Sequence, residues 1–268
     1  MKLKIISSEN KEAGEQTLPK QFQEEVRPDI IKKDVLAIQL SRRQPYGADP
    51  EAGERASADL SKRRRKYRGS YGPGRSRTPR KVMTKRGTQF NFVGAFAPNT
   101  VGGRRAHPPK AEKIIEKKIN KKERNKAVRS AMASTLKKEL VAERRHKVPD
   151  NYPFILEKSY EDISKAKDAK QALIKLGLEK ELERASKKKI RAGKGKARGR
   201  KYRKKKGPLI IVSSDCKLMK SAKNIPGVEI VSVEKLNSEL LAPGAVPGRL
   251  ALFTKPAVEK LEKERLYI

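Results

Sequence analysis

Two long stretches of the chain contain no carboxylate side chain, and this limits what they can fold into. Residues 60 to 111 carry fifteen Lys or Arg, and residues 184 to 214 carry fourteen. Together they hold 29 of the formal net charge of +36, so the rest of the chain is nearly balanced at +7. Like charges at this density repel one another unless a polyanion neutralises them. The pattern therefore predicts a mildly basic folded domain with two internal segments that bind a polyanion.

The first stretch lies in a region with too few aliphatic side chains to form a core. Between residues 45 and 110 the aliphatic side chains are only Leu60, Val82, Met83, Val93 and Val101. Six of the thirteen aromatic residues lie in the same region: Tyr46, Tyr67, Tyr71, Phe90, Phe92 and Phe96. Aromatic rings mixed with Arg and Gly suit an extended segment that stacks on unpaired bases and neutralises phosphates. We expect a long loop without periodic structure that folded RNA orders, with a permanently unstructured insertion as the alternative.

Outside the basic stretches, short apolar runs alternate with segments of helical periodicity. The runs that predict strands are residues 3 to 6, 153 to 156, 209 to 213, 228 to 233 and 250 to 254. Helical segments are expected after the last three runs, beginning near Asp215, Glu234 and Pro256. Strands that alternate with helices predict an α/β fold with a mostly parallel sheet covered on both faces.

Start and stop signals predict further helices. Pro28 can occupy the first position of a helix that runs to about Arg43. Gly177 predicts the end of one helix and the start of another on either side of it.

The region after Pro109 is expected to contain two helices. The first is predicted to start near Lys110, and Asn120 with Glu123 resembles a capping box for the second. The second helix is predicted to bury Ala127, Val128, Ala131, Met132 and Leu136.

An α/β sheet invites an enzyme hypothesis, which the motifs do not support. The turn after residues 209 to 213 lacks the glycines with which dinucleotide-binding turns approach a pyrophosphate. The run RAGKGKARG lacks the spacing of a P-loop and precedes a strand. No His and acid partners are identifiable for Cys216, which is interpreted as a packing residue. We predict no catalytic residue and no cofactor.

The histidines and the single cysteine are too few for a zinc site, so no metal is expected. His146, in the run ERRHKVP, is interpreted as solvated or phosphate-facing, and His107 as an RNA contact. No apolar run exceeds four residues, and the N-terminal residues show no secretion signal. We therefore expect a cytoplasmic protein with no membrane segment.

Four segments carry a more specific signal in their order and spacing. They are VRPDIIKKDVLAIQLSRRQPYGADPEAGERASADL at 26 to 60, TVGGRRAHPPKAEK at 100 to 113, INKKERNKAVRSAMAST at 119 to 135 and RAGKGKARGRKYRKKKGPLIIVSSD at 191 to 215. Together they resemble the universal L-four family of large-subunit ribosomal proteins, in its archaeal and eukaryotic form, over essentially the whole chain. The GGRRAHPP run is the most specific part. The chain ends at Ile268 without the basic extension of eukaryotic members, so an archaeal type is expected.

The resemblance implies a Rossmann-like α/β domain at residues 1 to 44 and 111 to 268, without a nucleotide site. It implies an extended rRNA and exit-tunnel loop at 45 to 110 and a second basic rRNA-binding arm at 184 to 206. The implied function is structural: such a protein binds and organises large-subunit rRNA, aids subunit assembly and forms part of the polypeptide exit tunnel wall. Its implied partners are this rRNA, neighbouring proteins including the L-twenty-two family protein, and the nascent polypeptide, and no homo-oligomer is expected.

Charge and the resemblance together give the candidate rRNA-binding residues. Those of the loop are Arg63, Arg64, Arg65, Lys66, Tyr67, Arg68, Tyr71, Arg75, Arg77, Arg80, Lys81, Lys85, Arg86, Arg104, Arg105 and His107. Those of the arm are Lys194, Lys196, Arg198, Arg200, Lys201, Tyr202, Arg203, Lys204 and Lys205. Two rival functions stay open, an RNA-modifying Rossmann-type enzyme and an architectural DNA-binding protein.

Overall fold

A computed structural model describes residues 1 to 67 and 69 to 268 of the chain. The chain divides into two units. An α/β unit comprises Met1–Arg42 and Glu116–Ile268, and a second unit, which contains the first basic stretch and is called the extended unit below, comprises Arg43–Ile115.

The strands in chain order are β1 Lys2–Ile6, β2 Glu12–Thr17, β3 Arg80–Arg86, β4 Gln89–Gly94, β5 Ile155–Leu156, β6 Lys189–Ile190, β7 Tyr202–Arg203, β8 Leu209–Val212, β9 Glu229–Ser232 and β10 Ala251–Thr254. The helices are α1 Pro28–Ser41, α2 Lys121–Leu136, α3 Lys138–Glu143, α4 Ala166–Leu173, α5 Glu179–Ser186, α6 Lys217–Ser221, α7 Ser238–Leu241 and α8 Lys255–Lys263. None of the helices in the described ranges is long and apolar enough to cross a membrane.

A six-stranded sheet in the order β2-β1-β5-β10-β8-β9 forms the centre of the α/β unit. Five of the strands, β1, β5, β10, β8 and β9, pair in parallel with their neighbours in the sheet. At one edge β2 pairs antiparallel with β1. All four residues of β8 and of β10 are buried, as expected for central strands that are covered on both faces. The predicted α/β class with a mostly parallel sheet is confirmed.

The two faces of the sheet carry separate parts of the core, because side chains alternate along a strand. On one face Leu209 and Ile211 pack with α1, α2, α7 and α8, and on the other Ile210 and Val212 pack with α3, α4, α5 and α6. Pro28 occupies the first position of α1, as predicted. Gly177, at φ +79°, separates α4 from α5 in the left-handed conformation that glycine adopts readily.

The helix predicted from Lys110 is absent, and no helix occurs between residues 111 and 120. Ile114 in this segment is 86% exposed, and Ile115 and Ile119 are only partly buried, so the segment has little apolar contact to stabilise a helix. The next helix, α2, follows Asn120 as expected, but the Asn120 side chain forms no capping hydrogen bond. This helix buries four of the five predicted residues, whereas Leu136 is only partly buried.

The extended unit contains a β-hairpin whose register shifts once, between Val82 and Thr84, so the expectation of a loop without periodic structure was wrong there. Strands β3 and β4 pair from Arg80↔Gly94 to Arg86↔Gln89. The connection Gly87-Thr88 has two residues, and Gly87 has a φ of +55°, which suits a tight hairpin turn. The hairpin exposes Val82, Met83 and Val93, so it is held by backbone pairing and by its aromatic side chains.

Candidate nucleic-acid interface

Tyr71 lies between two arginines in the extended unit. Its ring centroid is 5.8 Å from the guanidinium carbon of Arg64 and 4.8 Å from that of Arg77. Arg77 also donates a hydrogen bond to the Tyr71 hydroxyl at 3.3 Å. Guanidinium groups over an aromatic ring gain electrostatic attraction and remain able to bind phosphate. The three side chains form a surface that combines stacking with positive charge.

A second aromatic and cationic cluster lies on the β3–β4 hairpin. Phe90 and Phe92 are two residues apart on β4, so they share one face, and their rings stack with centroids 5.8 Å apart. Lys85 Nζ lies 5.5 Å from the Phe90 ring, and the Arg75 guanidinium lies 5.6 Å from the Phe92 ring. The hairpin therefore repeats the combination seen at Tyr71.

Two glycines, Gly103 of the GGRRAHPP run and Gly53 opposite it, allow close passage of the chain. A Cβ on Gly103 would lie 2.1 Å from the Ala97 carbonyl oxygen, and a Cβ on Gly53 would lie 2.4 Å from the Arg104 backbone nitrogen. The Arg104 N–H donates to the Phe96 carbonyl at 3.0 Å. These contacts hold the backbone while the side chains of Arg104, Arg105 and His107 remain exposed.

The second basic segment forms a small hairpin in the α/β unit, which we call the basic arm, residues 187 to 206. Strands β6 and β7 pair through Lys189↔Arg203 and Ile190↔Tyr202. The Tyr202 ring lies 4.5 Å from Lys188 Nζ and 5.6 Å from Lys201 Nζ. The arm therefore presents a third aromatic ring flanked by cations.

The cations of the candidate interface are not neutralised within the protein. In the part of the chain that the structure describes, no Lys or Arg from residue 62 to 110 or from 187 to 205 forms an ion pair. By contrast, Lys206 pairs with Glu229 and Arg184 pairs with Glu181. The two basic segments therefore keep their charge for a polyanionic partner.

His146 is buried, so its interpretation as solvated or phosphate-facing was wrong. Its Nδ1 lies 2.7 Å from Glu181 Oε1, and because a carboxylate only accepts, this nitrogen carries a proton. Burial lowers the pKa of His146 even though Glu181 favours the charged form. Burial opposes ionisation of Glu181, but hydrogen bonds from Arg184 and His146 lower its pKa to about 2. The result is a structural cluster of an ionised carboxylate, an imidazole and a guanidinium.

Enzymes with an α/β fold bind their ligands at the carboxyl ends of the parallel strands. In this protein the Glu161 side chain forms hydrogen bonds at the carboxyl ends of two of these strands. Its Oε1 accepts hydrogen bonds from the Ser213 N–H at 3.0 Å and from Thr254 Oγ1 at 2.6 Å, and its Oε2 accepts the Ser213 hydroxyl at 2.8 Å. These residues follow β8 and end β10, the two central strands. A buried carboxylate at this place repels a phosphate, so the site does not suit a nucleotide.

Cys216 does not provide an alternative reaction centre. It lines a groove of about 680 Å³ beside β9 with Met219, Ile230 and Leu240. Burial raises the pKa of its thiol, whereas a nucleophilic cysteine needs a lowered one. No group of three or more metal-ligating side chains occurs within residues 1 to 67 and 69 to 268.

Comparison with known proteins decides the family. The model of the ribosomal protein L4/L1 family matches residues 16–264. The chain belongs to the ribosomal protein L4/L1 family. The large ribosomal subunit protein uL4 of Nanoarchaeum equitans is 48% identical over 268 residues, with all of both chains covered. The proteins of the same name from Methanosphaera stadtmanae and Archaeoglobus fulgidus are 42% and 44% identical, over 97% of this chain and 96% and 98% of theirs.

The structure brings together several of the residues that the resemblance to this ribosomal family suggested. Arg64, Tyr71 and Arg77 form one cluster, and Arg75 and Lys85 belong to the hairpin cluster. Arg80, Lys81 and Arg86 also lie on β3. Arg63 precedes Arg64 in the chain, the equally exposed Arg65, Lys66 and Tyr67 lie between Arg64 and Tyr71, and Arg68 lies outside the described residues. In the arm, Lys201 and Tyr202 are in contact. The other candidate cations of the arm are all exposed: Lys194, Lys196, Arg198, Arg200, Arg203, Lys204 and Lys205.

Phe90, Phe92 and Lys188 belong to these clusters but were not among the candidate residues. The alternation of QFNFVG predicts that both phenylalanines lie on one face of a strand, so periodicity alone could have placed them together. Lys188 could not be distinguished from the adjacent Lys187 and Lys189, because only the pairing of β6 with β7 brings it to Tyr202.

Proposed function

We propose that this member of the ribosomal protein L4/L1 family is a non-enzymatic structural constituent of the large ribosomal subunit in the cytoplasm. Family membership and the name of its relatives, large ribosomal subunit protein uL4, support the assignment. The observation that carries it is that, among the described residues, no Lys or Arg of 62 to 110 or of 187 to 205 forms an ion pair, whereas the chain outside the two basic stretches is nearly balanced in charge. Such a division of charge suits a protein that binds RNA through segments outside its own core.

The proposed rRNA-binding surface consists of the candidate residues of the loop and of the arm, together with Phe90, Phe92 and Lys188. Lys and Arg side chains neutralise phosphates and release counterions, which supplies most of the affinity. The rings of Tyr71, Phe92 and Tyr202 offer stacking surfaces for unpaired bases. In this proposal phosphate contacts position the protein, and stacking favours folded rRNA over duplex DNA.

The extended unit is the proposed contributor to the polypeptide exit tunnel. It contains 73 residues, Arg43–Ile115, of which few are buried, so most of its surface is available to rRNA and to neighbours. Under this proposal its neighbours include the L-twenty-two family protein and the nascent polypeptide. Ordering of the unit on rRNA would couple binding to assembly of the subunit.

A map of protein–rRNA crosslinks in assembled subunits tests the proposal. We expect crosslinks from Tyr71, Phe92 and Tyr202 to large-subunit rRNA, and none from Tyr160, which is buried in the α/β unit. Crosslinks confined to the α/β unit outside the basic arm would contradict the proposed surface. Equal affinity for duplex DNA and rRNA at one salt concentration would favour the architectural DNA-binding alternative.

A further inference from the structure

The basic arm joins the central sheet at Lys206 and Gly207, just before β8, and we call this junction the root of the arm. Two arginines bind the backbone at these residues. Arg184 Nη2 donates to the Lys206 carbonyl at 2.8 Å, and Arg249 Nε donates to the Gly207 carbonyl at 3.1 Å. The two carbonyls are adjacent in the chain. The backbone at the root of the arm is therefore fixed by two guanidinium groups that come from different elements.

Both guanidinium groups are themselves held by carboxylates. Arg249 is fully buried, and its Nη1 donates to Glu229 Oε2 at 2.7 Å and to the Leu240 carbonyl at 2.8 Å. Arg184 forms two hydrogen bonds with Glu181, at 2.6 and 2.7 Å. Two parallel bonds to one carboxylate fix the plane of a guanidinium.

Gly207 and Gly227 allow the backbone at the root of the arm to pack too closely for it to move freely. The Gly207 N–H donates to the Gly227 carbonyl at 2.9 Å. A Cβ on Gly207 would lie 2.8 Å from that oxygen, and a Cβ on Gly227 would lie 2.4 Å from the Ala185 Cβ. The segment is thus packed directly against the end of α5, which leads into the arm.

The cluster contains more arginines than the two carboxylates Glu181 and Glu229 can pair with. Arg144 adds a further cation, and burial followed by repulsion from Arg249 and Arg184 lowers its pKa to about 10. Three buried or partly buried arginines therefore lie at the root of an arm that already carries many cations. Apolar residues of similar volume often stabilise a core as well as buried ion pairs do, so stability alone does not account for this cluster.

We propose that Arg184 and Arg249 are positioning residues that fix the direction in which the basic arm leaves the α/β unit, so that it binds rRNA as a preorganised element. The inference rests on the proposed function, because the ligand of the arm is rRNA. Preorganisation raises affinity by lowering the ordering cost of binding and does not require a new phosphate contact. Loss of a positioning residue should therefore weaken binding without changing the number of phosphates neutralised.

The test compares Arg184→Met with Lys205→Met in the full-length protein, using a protein-free fragment of large-subunit rRNA as the probe. Arg184→Met keeps most of the side-chain volume, and Lys205→Met removes one exposed cation of the arm itself. For Arg184→Met we expect faster amide hydrogen exchange confined to residues 187 to 206 and roughly tenfold weaker binding. The slope of log affinity against log salt should stay unchanged, whereas Lys205→Met should reduce it by about 0.7 to 0.9 and leave the exchange unaltered.

Unchanged exchange in the arm of Arg184→Met, or weaker binding accompanied by the reduced slope of Lys205→Met, would overturn the inference. If Arg184→Met does not fold, Arg249→Lys is tested instead, because a lysine keeps the charge but cannot bind Glu229 and both carbonyls in one plane. For that variant too, unchanged exchange in the arm or a reduced salt slope would overturn the inference. Failure of the unaltered protein to bind the rRNA fragment would reject the proposed function, which distinguishes that failure from failure of the positioning role.

Discussion

Glu161 reaches Ser213 at the carboxyl end of β8, where one carboxylate oxygen accepts the backbone N–H at 3.0 Å and the other accepts the hydroxyl at 2.8 Å. Thr254 donates to the same carboxylate at 2.6 Å, so Glu161 joins two central strands. The crevice that serves as a ligand site in α/β enzymes is used here as an internal connection. The α/β unit thus has a mostly parallel sheet in which Glu161 itself bonds to the carboxyl ends of two central strands, the end of a parallel sheet at which α/β enzymes bind their ligands.

Replacement of Glu161 should therefore destabilise the α/β unit. Glu161→Ala leaves the N–H and the hydroxyl of Ser213 without their acceptor, and the Thr254 hydroxyl keeps only its longer bond to the Ile211 carbonyl at 3.3 Å. We expect a loss of about 2 to 4 kcal/mol in the free energy of unfolding, measured in urea. Glu157→Ala, in which only a local bond from Ser159 is lost, is the control and should cost less than about 1 kcal/mol. Equal losses in the two variants would show that Glu161 does not join the strands.

Stability should fall on acidification because of His146 and Glu181. Burial lowers the pKa of His146 below its usual 6.5, so the unfolded chain binds a proton that the folded protein does not, and stability decreases as the pH falls below about 6.5. The pKa of Glu181 is about 2 against a usual 4.5, so its contribution of about 3 kcal/mol is present above pH 4.5 and is lost towards pH 2.

Urea midpoints at a series of pH values between 7.5 and 5 measure the histidine effect. His146→Asn keeps a hydrogen-bond donor near Glu181 but does not titrate, so its profile should be flatter than that of the unaltered protein in this interval. A parallel decline in both proteins would assign the pH dependence to other groups.

Tyr71 should contribute to rRNA binding through its ring and not through charge. Tyr71→Ala removes the surface between Arg64 and Arg77, and we expect a loss of about 1 to 3 kcal/mol in binding free energy to a large-subunit rRNA fragment. Tyr71→Phe keeps the ring and should retain most of the affinity. The salt dependence should be the same for all three proteins, so a changed slope in Tyr71→Ala would argue against stacking.

Gly103 should be less replaceable than its neighbour Gly102. A Cβ on Gly103 would collide with the Ala97 carbonyl at 2.1 Å, whereas a Cβ on Gly102 meets no atom within 4 Å and is disfavoured only by a φ of +72°. Gly103→Ala should expose the Arg104 N–H to rapid hydrogen exchange by breaking its bond to the Phe96 carbonyl. Gly102→Ala should cost about 1 kcal/mol and leave that bond intact. Equal protection of the Arg104 amide in both variants would contradict this account.

The elements that could be predicted from sequence are those in which the burial of each residue follows from the apolar pattern of the segment itself. The run LIIV at Leu209–Val212 is apolar at every position, which is typical of a central parallel strand, and the structure buries all four residues. Residues 111 to 120 have a partly helical pattern, but Ile114 is exposed and Ile115 and Ile119 are only partly buried, so a helix there would gain little from packing. Periodicity alone does not show whether the rest of the protein offers an apolar surface against which a helix can pack.

The environment of single polar residues depends on contacts distant in sequence. His146 follows two arginines and is followed by a lysine, which suggested exposure, but its partner Glu181 lies 35 residues later and is brought there by α5. The β3–β4 hairpin was not predicted because strand β3 consists mostly of Lys and Arg and has no pattern typical of a strand. Only the alternation of Phe90 and Phe92 in β4 indicated the hairpin.

Incorporation into the subunit should protect the extended unit from proteolysis. Trypsin cleaves after Lys and Arg, and residues 60 to 100 contain twelve of them, most of them exposed and none in an ion pair among the described positions. In the free protein cleavage should begin in this segment, because few buried apolar contacts hold it and little free energy is needed to open it. In assembled subunits the same sites should be protected, because phosphates and stacked bases occupy the side chains and order the backbone. The bond after Arg249, whose side chain is fully buried in the α/β unit, is the internal control and should resist cleavage in both states. Equal, rapid cleavage between residues 60 and 100 in free and assembled protein would mean that rRNA does not order this segment.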